Sequence, residues 1–380
     1  MLATSSSSFL TAQWILKKLK NTSHLSFSLT KTIKYKALNK KISNTLTYIV
    51  FLLLGILLLW LCFRKIDFTQ VVGYIKTAKY SWMLLSLACL GISLFFRALR
   101  WNILIESLGY KTRVSSTYES VLIAYFANAV FPRLGEVTRC GTLTKKENIP
   151  FDKSFGTVIS ERVVDLAVLF ALAILVVLFQ WNLLGSLVTS WLNPLIDMLK
   201  NNAILGVVAL SALVVVFAAI VFIFKKKKDI IKENKLYQKV ASLCKGFLDG
   251  IKTIFTMKRK GLFILYTLLI WGFYVVMTWL PFYMLTETSH LGMTEAITLL
   301  GLATLGFVAP VPGGMGVYHF IGILLLNGFY GISESAAVSF VTINHTSQMI
   351  FYLVAGCIAY AIMFFIDRRA PINEELGIRN

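Results

Sequence analysis

Long runs of apolar residues constrain the fold of this chain more than any other feature. Six runs reach roughly the 18 residues or more that a helix needs to cross the hydrocarbon core of a bilayer. They cover residues 45–63, 80–105, 154–180, 203–224, 261–285 and 335–366. Charged residues make up only 15% of the chain, against about 25% in a typical soluble domain. The sequence therefore predicts an all-α polytopic membrane protein with about six spanning helices.

The basic residues are concentrated in two regions. The chain has a net charge of +20, and eight lysines precede the first apolar run. A second basic stretch covers residues 225–260. Nucleic-acid binding is one interpretation of such charge. Both stretches flank apolar runs, so the positive-inside rule explains them better and places them in the cytoplasm, in contact with anionic lipid headgroups.

This topology divides the chain into three parts. Residues 1–44 form a basic cytoplasmic tail, residues 45–366 the transmembrane domain, and residues 367–380 a second cytoplasmic tail. The loop 225–260 lies on the cytoplasmic side of the domain. We expect an integral protein of the plasma (inner) membrane with both termini in the cytoplasm and no nucleic-acid partner.

Two segments between the runs, 115–150 and 293–331, each contain a proline and glycine break. Aligning FPRLGEV (131–137) with APVPGGM (309–315) places Pro132 on Pro310 and Gly135 on Gly313. Each segment forms either a re-entrant hairpin or a pair of full crossings. The polar second half of 115–150 favours a buried re-entrant hairpin, because lipid cannot satisfy free backbone groups. The matching order of elements predicts an inverted repeat with a binding site near the midplane.

Six charged residues fall inside this apolar framework. Arg133, Glu136 and Arg139 recur every three residues and share one helix face, and the next run carries a second set, Glu161, Arg162 and Asp165. A charge within the membrane costs at least about 2.5–3.5 kcal/mol unless it is paired or wet. We therefore expect the two sets, which sum to zero charge, to pair with each other. The paired charges either form a substrate site or only hold the two helices together.

Two further arginines lie on the preceding run. Arg97 and Arg100 are three residues apart and add two positive charges that the six residues do not balance. An anionic group such as a lipid phosphate would complete the balance through bidentate contacts. The alternative is that both side chains extend to the membrane interface without a binding role.

The second break is rich in glycine. Pro312, Gly313, Gly314 and Gly316 expose backbone amides that suit an anion, although a tight turn explains the same composition. His319 follows within one turn. Asn344, His345 and Gln348 interrupt the last apolar run, where hydrogen bonds between helices account for them as well as ligand contacts do.

The motifs of soluble catalysis are missing from the sequence. It contains no HExxH, no phosphate-binding P-loop and no nucleophile with a nearby base. The five cysteines are scattered, without the spacing of a metal site. We expect a protein that is not an enzyme and that needs no metal and no cofactor.

Three motifs resemble the transmembrane region of lysylphosphatidylglycerol synthases and their flippase-like relatives. They are P-R-x-G-E-x-x-R at 132–139, E-R-x-x-D at 161–165 and P-G-G-x-G at 312–316, and the similarity spans roughly 80–366. The resemblance implies an all-helical membrane domain with re-entrant segments that moves lipids between leaflets. Bifunctional members carry a soluble aminoacyl-transferase domain after it. This chain ends fourteen residues after the last run, so synthase activity is not expected. His319 departs from the glutamate that the family often has at that position.

Three hypotheses follow. In the first, the protein moves an anionic or aminoacylated phospholipid, or a polyprenyl-linked lipid, whose headgroup the arginines hold while the carboxylates position them and the glycine-rich break forms the opposite wall. In the second, it is a non-catalytic membrane subunit of a lipid- or glycan-modifying system whose enzyme is a separate chain. In the third, the charges only hold helices together.

Overall fold

The computed structural model describes residues 49–50, 52–64, 68–181, 185, 189, 193, 197, 211, 257–306 and 311–366. Every regular element within these residues is helical, which confirms the predicted all-α class for this part of the chain. The helices are α1 (Leu52–Phe63), α2 (Phe68–Thr77), α3 (Tyr80–Ser107), α4 (Val114–Val130), α5 (Gly135–Glu147), α6 (Phe151–Phe179), α7 (Lys260–Trp279), α8 (Met293–Gly306), α9 (Val317–Ile323) and α10 (Glu334–Ala361).

Four of the described helices are long and apolar enough to cross a membrane. They are α3, α6, α7 with the 3₁₀ turn Leu280–Met284, and α10 with the π-helical turn Ile362–Ile366. These four agree closely with the predicted spans 80–105, 154–180, 261–285 and 335–366. The shorter apolar helix α1 covers part of predicted span 45–63, while 203–224 lies outside the described residues.

The chain divides into two compact units between Gly55 and Ile56. In the first unit, only residues 49–50 and 52–55 are described. The second unit contains all the helices from α2 onward. The predicted tails 1–44 and 367–380 and most of loop 225–260 lie outside the described residues.

One order of helices occurs twice in the second unit. A long helix (α3) is followed by two short helices separated by a break (α4 and α5) and then by a second long helix (α6). The same order recurs in α7, α8, α9 and α10, and α9 continues directly into the π-helix Leu324–Phe329. The 13 residues of α5 span about 20 Å, less than the roughly 30 Å of a hydrocarbon core.

The packing of the helices repeats with this order. Helix α4 packs on α5 and α10, and its counterpart α8 packs on α9 and α6. Likewise α5 packs on α6, and α9 packs on α10. The two leading helices, α3 and α7, pack on each other. The main helix contacts therefore correspond when α3–α6 are matched in order with α7–α10.

The first break depends on a glycine. The amide of Gly135 donates to Asn128 Oδ1 at 2.7 Å, which joins the start of α5 to the last turns of α4. A Cβ atom at Gly135 would overlap the Asn128 side chain and lie 2.5 Å from the Ala124 carbonyl oxygen. Only glycine therefore allows α5 to fold back this closely on α4.

The second break lies against the first. Residues Pro312–Gly314 form a 3₁₀ turn in which Gly313 and Gly314 have φ values of 58° and 72°. A Cβ built on Gly313 would lie 3.9 Å from the carbonyl oxygen of Ala129, in the last turn of α4. The two broken segments thus meet inside the second unit. Pro310, which the sequence aligned with Pro132, lies outside the described residues.

Apolar side chains cover both the interior and the outer helix faces. Leu94, Trp101 and Leu143 are buried where α3 packs with the hairpin of α4 and α5. Large apolar side chains of α6 and α10, such as Phe170 and Ile358, are exposed. Exposed apolar residues on helices long enough to span a bilayer are expected where those helices face lipid.

Candidate functional site

A group of charged side chains lies between α3, α5 and α6. Helix α3 contributes Arg97 and Arg100, which are one turn apart, and α6 contributes residues 161, 162 and 165 from its first half. Helix α5 adds Glu136 and Arg139 because the hairpin turns its polar face toward α6. We call Arg97, Arg100, Glu136, Arg139, Glu161, Arg162 and Asp165 the charge cluster.

Asp165 bridges the two arginines of α3. Its Oδ2 lies 2.5 Å from Arg97 Nη2, and its Oδ1 lies 2.8 Å from Arg100 Nη2. Arg97 is 5% exposed and Arg100 is fully buried. The interpretation in which these arginines extend to the membrane interface is therefore wrong: both side chains point into the protein.

The hairpin and α6 are joined by two further ion pairs. Arg139 Nη2 pairs with Glu161 Oε2, and the other oxygen of Glu161 lies 3.6 Å from Arg100 Nε. Glu136 Oε1 lies 3.6 Å from Arg162 Nε. The expected pairing between the two charged sequence segments is thus confirmed for four of the six residues.

Aromatic rings and hydroxyls enclose the arginines. The Arg139 guanidinium lies 4.5 Å from the centroid of the Trp101 ring, and the indole N–H of Trp101 donates to Thr157 at 2.8 Å. Arg97 Nη1 donates to the hydroxyl of Tyr125 at 2.6 Å, and that hydroxyl lies 3.3 Å from the hydroxyl of Tyr274. These contacts replace part of the hydration that a buried guanidinium loses.

The charge cluster is neither neutral nor fully hydrogen-bonded. It contains four arginines and three carboxylates, which gives a net charge of +1. The buried Nε atoms of Arg97 and Arg139 have no hydrogen-bond partner among the described residues. The cluster is accessible at one edge, where the side chains of Arg162 and Glu136 are 45% and 28% exposed. An anion reaching this edge would meet the positive charge of Arg162, with the unused N–H donors buried behind it.

Arg133 lies apart from the buried residues. It occupies the turn between α4 and α5, with an exposed side chain and a φ of 66°. The structure therefore does not bury Arg133 with the charge cluster, although the sequence grouped it with Glu136 and Arg139.

The second break carries an uncharged polar group. His345 Nε2 lies 2.9 Å from the carbonyl oxygen of Gly313, and the rings of His319 and His345 are 4.8 Å apart. The Asn344 amide donates to the Tyr318 hydroxyl at 2.8 Å, and Gln348 donates to Asn344. The structure thus gathers His319, Asn344 and His345 beside the break formed by Pro312, Gly313, Gly314 and Gly316.

Several neighbours of the arginines had no signal in the sequence. Trp101, Tyr125 and Tyr274 lie within ordinary apolar runs, and only the packing of α3, α4 and α7 brings them to the cluster. In the described part of the chain, no three His, Cys, Asp or Glu side chains are grouped as ligands of a metal ion.

A model of the family described as "Lysylphosphatidylglycerol synthase TM region" matches residues 48–356. The UPF0104 membrane protein MJ1595 of Methanocaldococcus jannaschii is 25% identical over 297 residues, 73% of this chain and 82% of that protein. The UPF0104 membrane protein PH1989 of Pyrococcus horikoshii is 22% identical over 307 residues, 76% of this chain and 89% of that protein.

A third similar protein is longer. Glycosyltransferase AglD of Haloferax volcanii is 22% identical over 374 residues, which are 90% of this chain but only 58% of AglD. No solved structure matches the chain.

Proposed function

The chain belongs to the lysylphosphatidylglycerol synthase transmembrane-region family, and we propose that it binds the anionic headgroup of a membrane lipid at the charge cluster and moves that lipid between leaflets. The lipid is an anionic or aminoacylated phospholipid or a polyprenyl-linked lipid. In this proposal the protein is a transporter without a catalytic role. It acts in the plasma membrane with its termini in the cytoplasm.

The observation that carries the proposal is the unbalanced charge of the cluster. Ion pairs that served only to hold helices together would be most stable if they were neutral and fully hydrogen-bonded. Here one positive charge is left over, and buried N–H donors of Arg97 and Arg139 lack partners among the described residues. A phosphate group supplies both the missing negative charge and the missing acceptors.

The half-exposed Arg162 gives the headgroup its point of entry. Its Nη1 lies 3.8 Å from Asp165 Oδ2, so it connects the exposed edge to the pair made by Asp165 and Arg100. A phosphate that displaces Glu136 from Arg162 would reach the buried arginines through this contact. The carboxylates hold the arginines in place and suit the amine of an aminoacylated headgroup.

The repeated helix order supports movement across the membrane. We interpret α4–α5 and α8–α9 as re-entrant hairpins of an inverted repeat, because they are short, are broken near the middle and exchange their packing partners. Transporters with inverted repeats bind their substrates where the broken helices meet. The break at Pro312–Gly314 would then form the wall opposite the charge cluster.

One comparison favours a second candidate function. AglD is named a glycosyltransferase, and the similarity to this chain covers 58% of the length of AglD. In this alternative, the chain is the non-catalytic membrane subunit of a lipid- or glycan-modifying system. The basic segment 225–260 then binds the enzyme, which is a separate chain. Co-purification of a soluble transferase that depends on this segment would favour it.

Transport is tested in vesicles that contain the purified protein and a fluorescent phosphatidylglycerol, with a membrane-impermeant quencher outside. We expect labelled lipid to exchange between leaflets faster than in protein-free vesicles. Arg162→Gln should slow the exchange by roughly tenfold or more, since a hydrogen bond to a charged group contributes about 1.5–3 kcal/mol.

Arg259→Gln is the matched control. Arg259 forms a surface ion pair with Glu106 at 2.9 Å, and both side chains are well exposed. This variant removes the same charge outside the cluster and should leave the rate unchanged. Equal exchange with and without protein would refute the transport function.

A further inference from the structure

Two buried histidines lie side by side at the second break. His319 is in α9 and His345 is in the middle of α10, and each is 4% exposed. Their ring centroids are 4.8 Å apart, with 65° between the ring planes. Neither residue belongs to the charge cluster.

The hydrogen bond of His345 determines which of its two ring nitrogens carries the hydrogen when the ring is neutral. Its Nε2 lies 2.9 Å from the carbonyl oxygen of Gly313, and a carbonyl oxygen only accepts hydrogen bonds. Nε2 must therefore carry a hydrogen, which leaves Nδ1 of the neutral ring without one. A cationic His345 would make the same bond. His345 thus holds the break in either protonation state.

His319 is the less satisfied member of the pair. Its Nδ1 is buried and has no hydrogen-bond partner among the described residues. Its ring contacts are apolar or neutral: Phe63 at 6.4 Å, Tyr318 at 6.2 Å and His345. A buried polar atom without a partner costs about 1–3 kcal/mol. A ligand that bonded to this nitrogen would relieve that cost.

The helices packed on α9 place no carboxylate beside the histidines. Helices α8 and α10 contain one acidic residue each, Glu295 and Glu334, in their first turns. Glu334 is eleven residues before His345, about 16 Å along the helix. Glu295 is likewise eleven residues before Gly306, where α8 ends ahead of the second break. Its carboxylate accepts a hydrogen bond from the Gly292 amide.

Among the described residues, the remaining neighbours place no negative charge beside the histidines either. Glu119 of α4 is three residues before Leu122, whose carbonyl lies against Gly356, eleven residues after His345. Phe63 is followed by Arg64, whose guanidinium lies 5.5 Å from the centroid of the Trp60 ring. The Gly313 break lies against the last turn of α4, which leads into the turn containing Arg133. The contacts of the two rings in the described part of the chain are neutral, so an imidazolium formed here would be unfavourable without an added anion.

An anionic headgroup bound at the charge cluster would bring that charge toward the histidines. The cluster is connected to α10 through Tyr125, whose hydroxyl accepts from Arg97 and whose ring stacks at 4.9 Å on that of Tyr352, two turns after His345. Protonation of His319 would then become more favourable, because the anion lowers the electrostatic cost of a buried cation. By linkage, each of the two ligands strengthens the binding of the other.

We propose that the His319–His345 pair binds one proton together with the anionic headgroup, so that lipid and proton bind as coupled ligands. The inference rests on the proposed headgroup site. It adds that the protein takes up a proton when the lipid binds. A proton gradient would therefore bias the direction in which the lipid moves.

Calorimetry of lipid binding tests the coupling without a transport assay. The full chain in phosphatidylcholine nanodiscs is titrated with dihexanoyl phosphatidylglycerol, in buffers of equal pH but different ionisation enthalpy. At about pH 6.5, close to the ordinary pKa of histidine, the buffer dependence of the heat should show uptake of up to about one proton per lipid. The affinity should rise as the pH falls, by up to about tenfold per pH unit.

His319→Gln should bind the lipid with no proton uptake and with an affinity that no longer depends on pH. His290→Gln is the control, because His290 is an exposed histidine outside this pair. It should behave like the parent protein. If His319→Gln does not fold, the measurement on the parent protein alone still decides.

The outcomes separate the two proposals. Lipid binding without proton uptake by the parent protein overturns the coupling and leaves the headgroup site intact. Uptake that persists in His319→Gln also overturns the coupling. If phosphatidylglycerol does not bind at any pH, the proposed headgroup site is wrong and the coupling is wrong with it.

Discussion

Arg100 and Asp165 form an ion pair between α3 and α6, with Nη2 and Oδ1 2.8 Å apart and the arginine side chain fully buried. The same carboxylate binds Arg97, so one acidic side chain neutralises part of the charge of two arginines. A charged group within a membrane domain persists only with such partners. Asp165 is therefore central both to the stability of the domain and to the proposed headgroup site.

Replacing Asp165 with asparagine should destabilise the protein strongly. The change leaves the charges of Arg97 and Arg100 without their shared carboxylate, and breaking a buried ion pair in this way costs about 3–5 kcal/mol. Thermal unfolding of the purified protein, followed by circular dichroism, measures the effect. Glu106→Gln is a suitable comparison, since its ion pair with Arg259 is exposed and should contribute no more than about 1 kcal/mol. Similar midpoints for the two variants would argue against the buried pairing.

Arg139 and Glu161 should be energetically coupled. They pair across α5 and α6, and both are buried. A double-mutant cycle with Arg139→Gln and Glu161→Gln should give a coupling free energy of about 1–3 kcal/mol, because each single variant leaves its partner uncompensated. The same cycle on Arg259 and Glu106 should give less than about 1 kcal/mol. Additive single effects at Arg139 and Glu161 would contradict the direct contact.

Gly135→Ala should disrupt the hairpin of α4 and α5. The added methyl group would overlap the Asn128 side chain and press on the Ala124 carbonyl, and such overpacking typically costs about 1–3 kcal/mol. Gly141→Ala is matched to it, since Gly141 is in the same helix and a Cβ there meets nothing within 4 Å. Abundance in the membrane and midpoint of unfolding should fall for residue 135 and not for residue 141. Equal tolerance of both changes would show that α5 does not pack on α4 in this way.

The contact between α4 and α10 depends on Gly356. A Cβ at this position would overlap the Phe126 side chain and lie 3.1 Å from the Leu122 carbonyl oxygen. Small residues allow helices in membranes to approach closely, so we expect Gly356→Ala to lower the unfolding midpoint. Gly272→Ala in α7 meets no atom within 4 Å and should be neutral. A neutral effect of both substitutions would be inconsistent with the close packing of α4 and α10.

The sequence predicted the parts of the fold that depend on length and polarity. The spans at α3, α6, α7 and α10 follow from apolar runs, and the breaks follow from proline and glycine. The pairing of the hairpin with α6 was predictable because membrane charges need partners. Glu136 with Arg162 and Arg139 with Glu161 bear this out.

Other features depend on tertiary packing that one sequence does not reveal. The turn at Arg133 takes that residue out of the helix face it was expected to share with Glu136. Arg97 and Arg100 point inward because Asp165 lies opposite them on α6, which sequence spacing alone does not indicate. Tyr125 and Tyr274 reach the arginines only because α4 and α7 both pack on α3.

The central claim is that the charge cluster holds an anionic lipid headgroup. Quantifying the lipids that remain with the purified protein, relative to the membrane from which it was extracted, tests this claim most directly. We expect anionic lipids to be enriched in the parent protein, to fall to the membrane proportion in Arg162→Gln and to stay enriched in Arg259→Gln. A parent protein whose bound lipids match the membrane composition, or an enrichment that survives Arg162→Gln, would contradict the account.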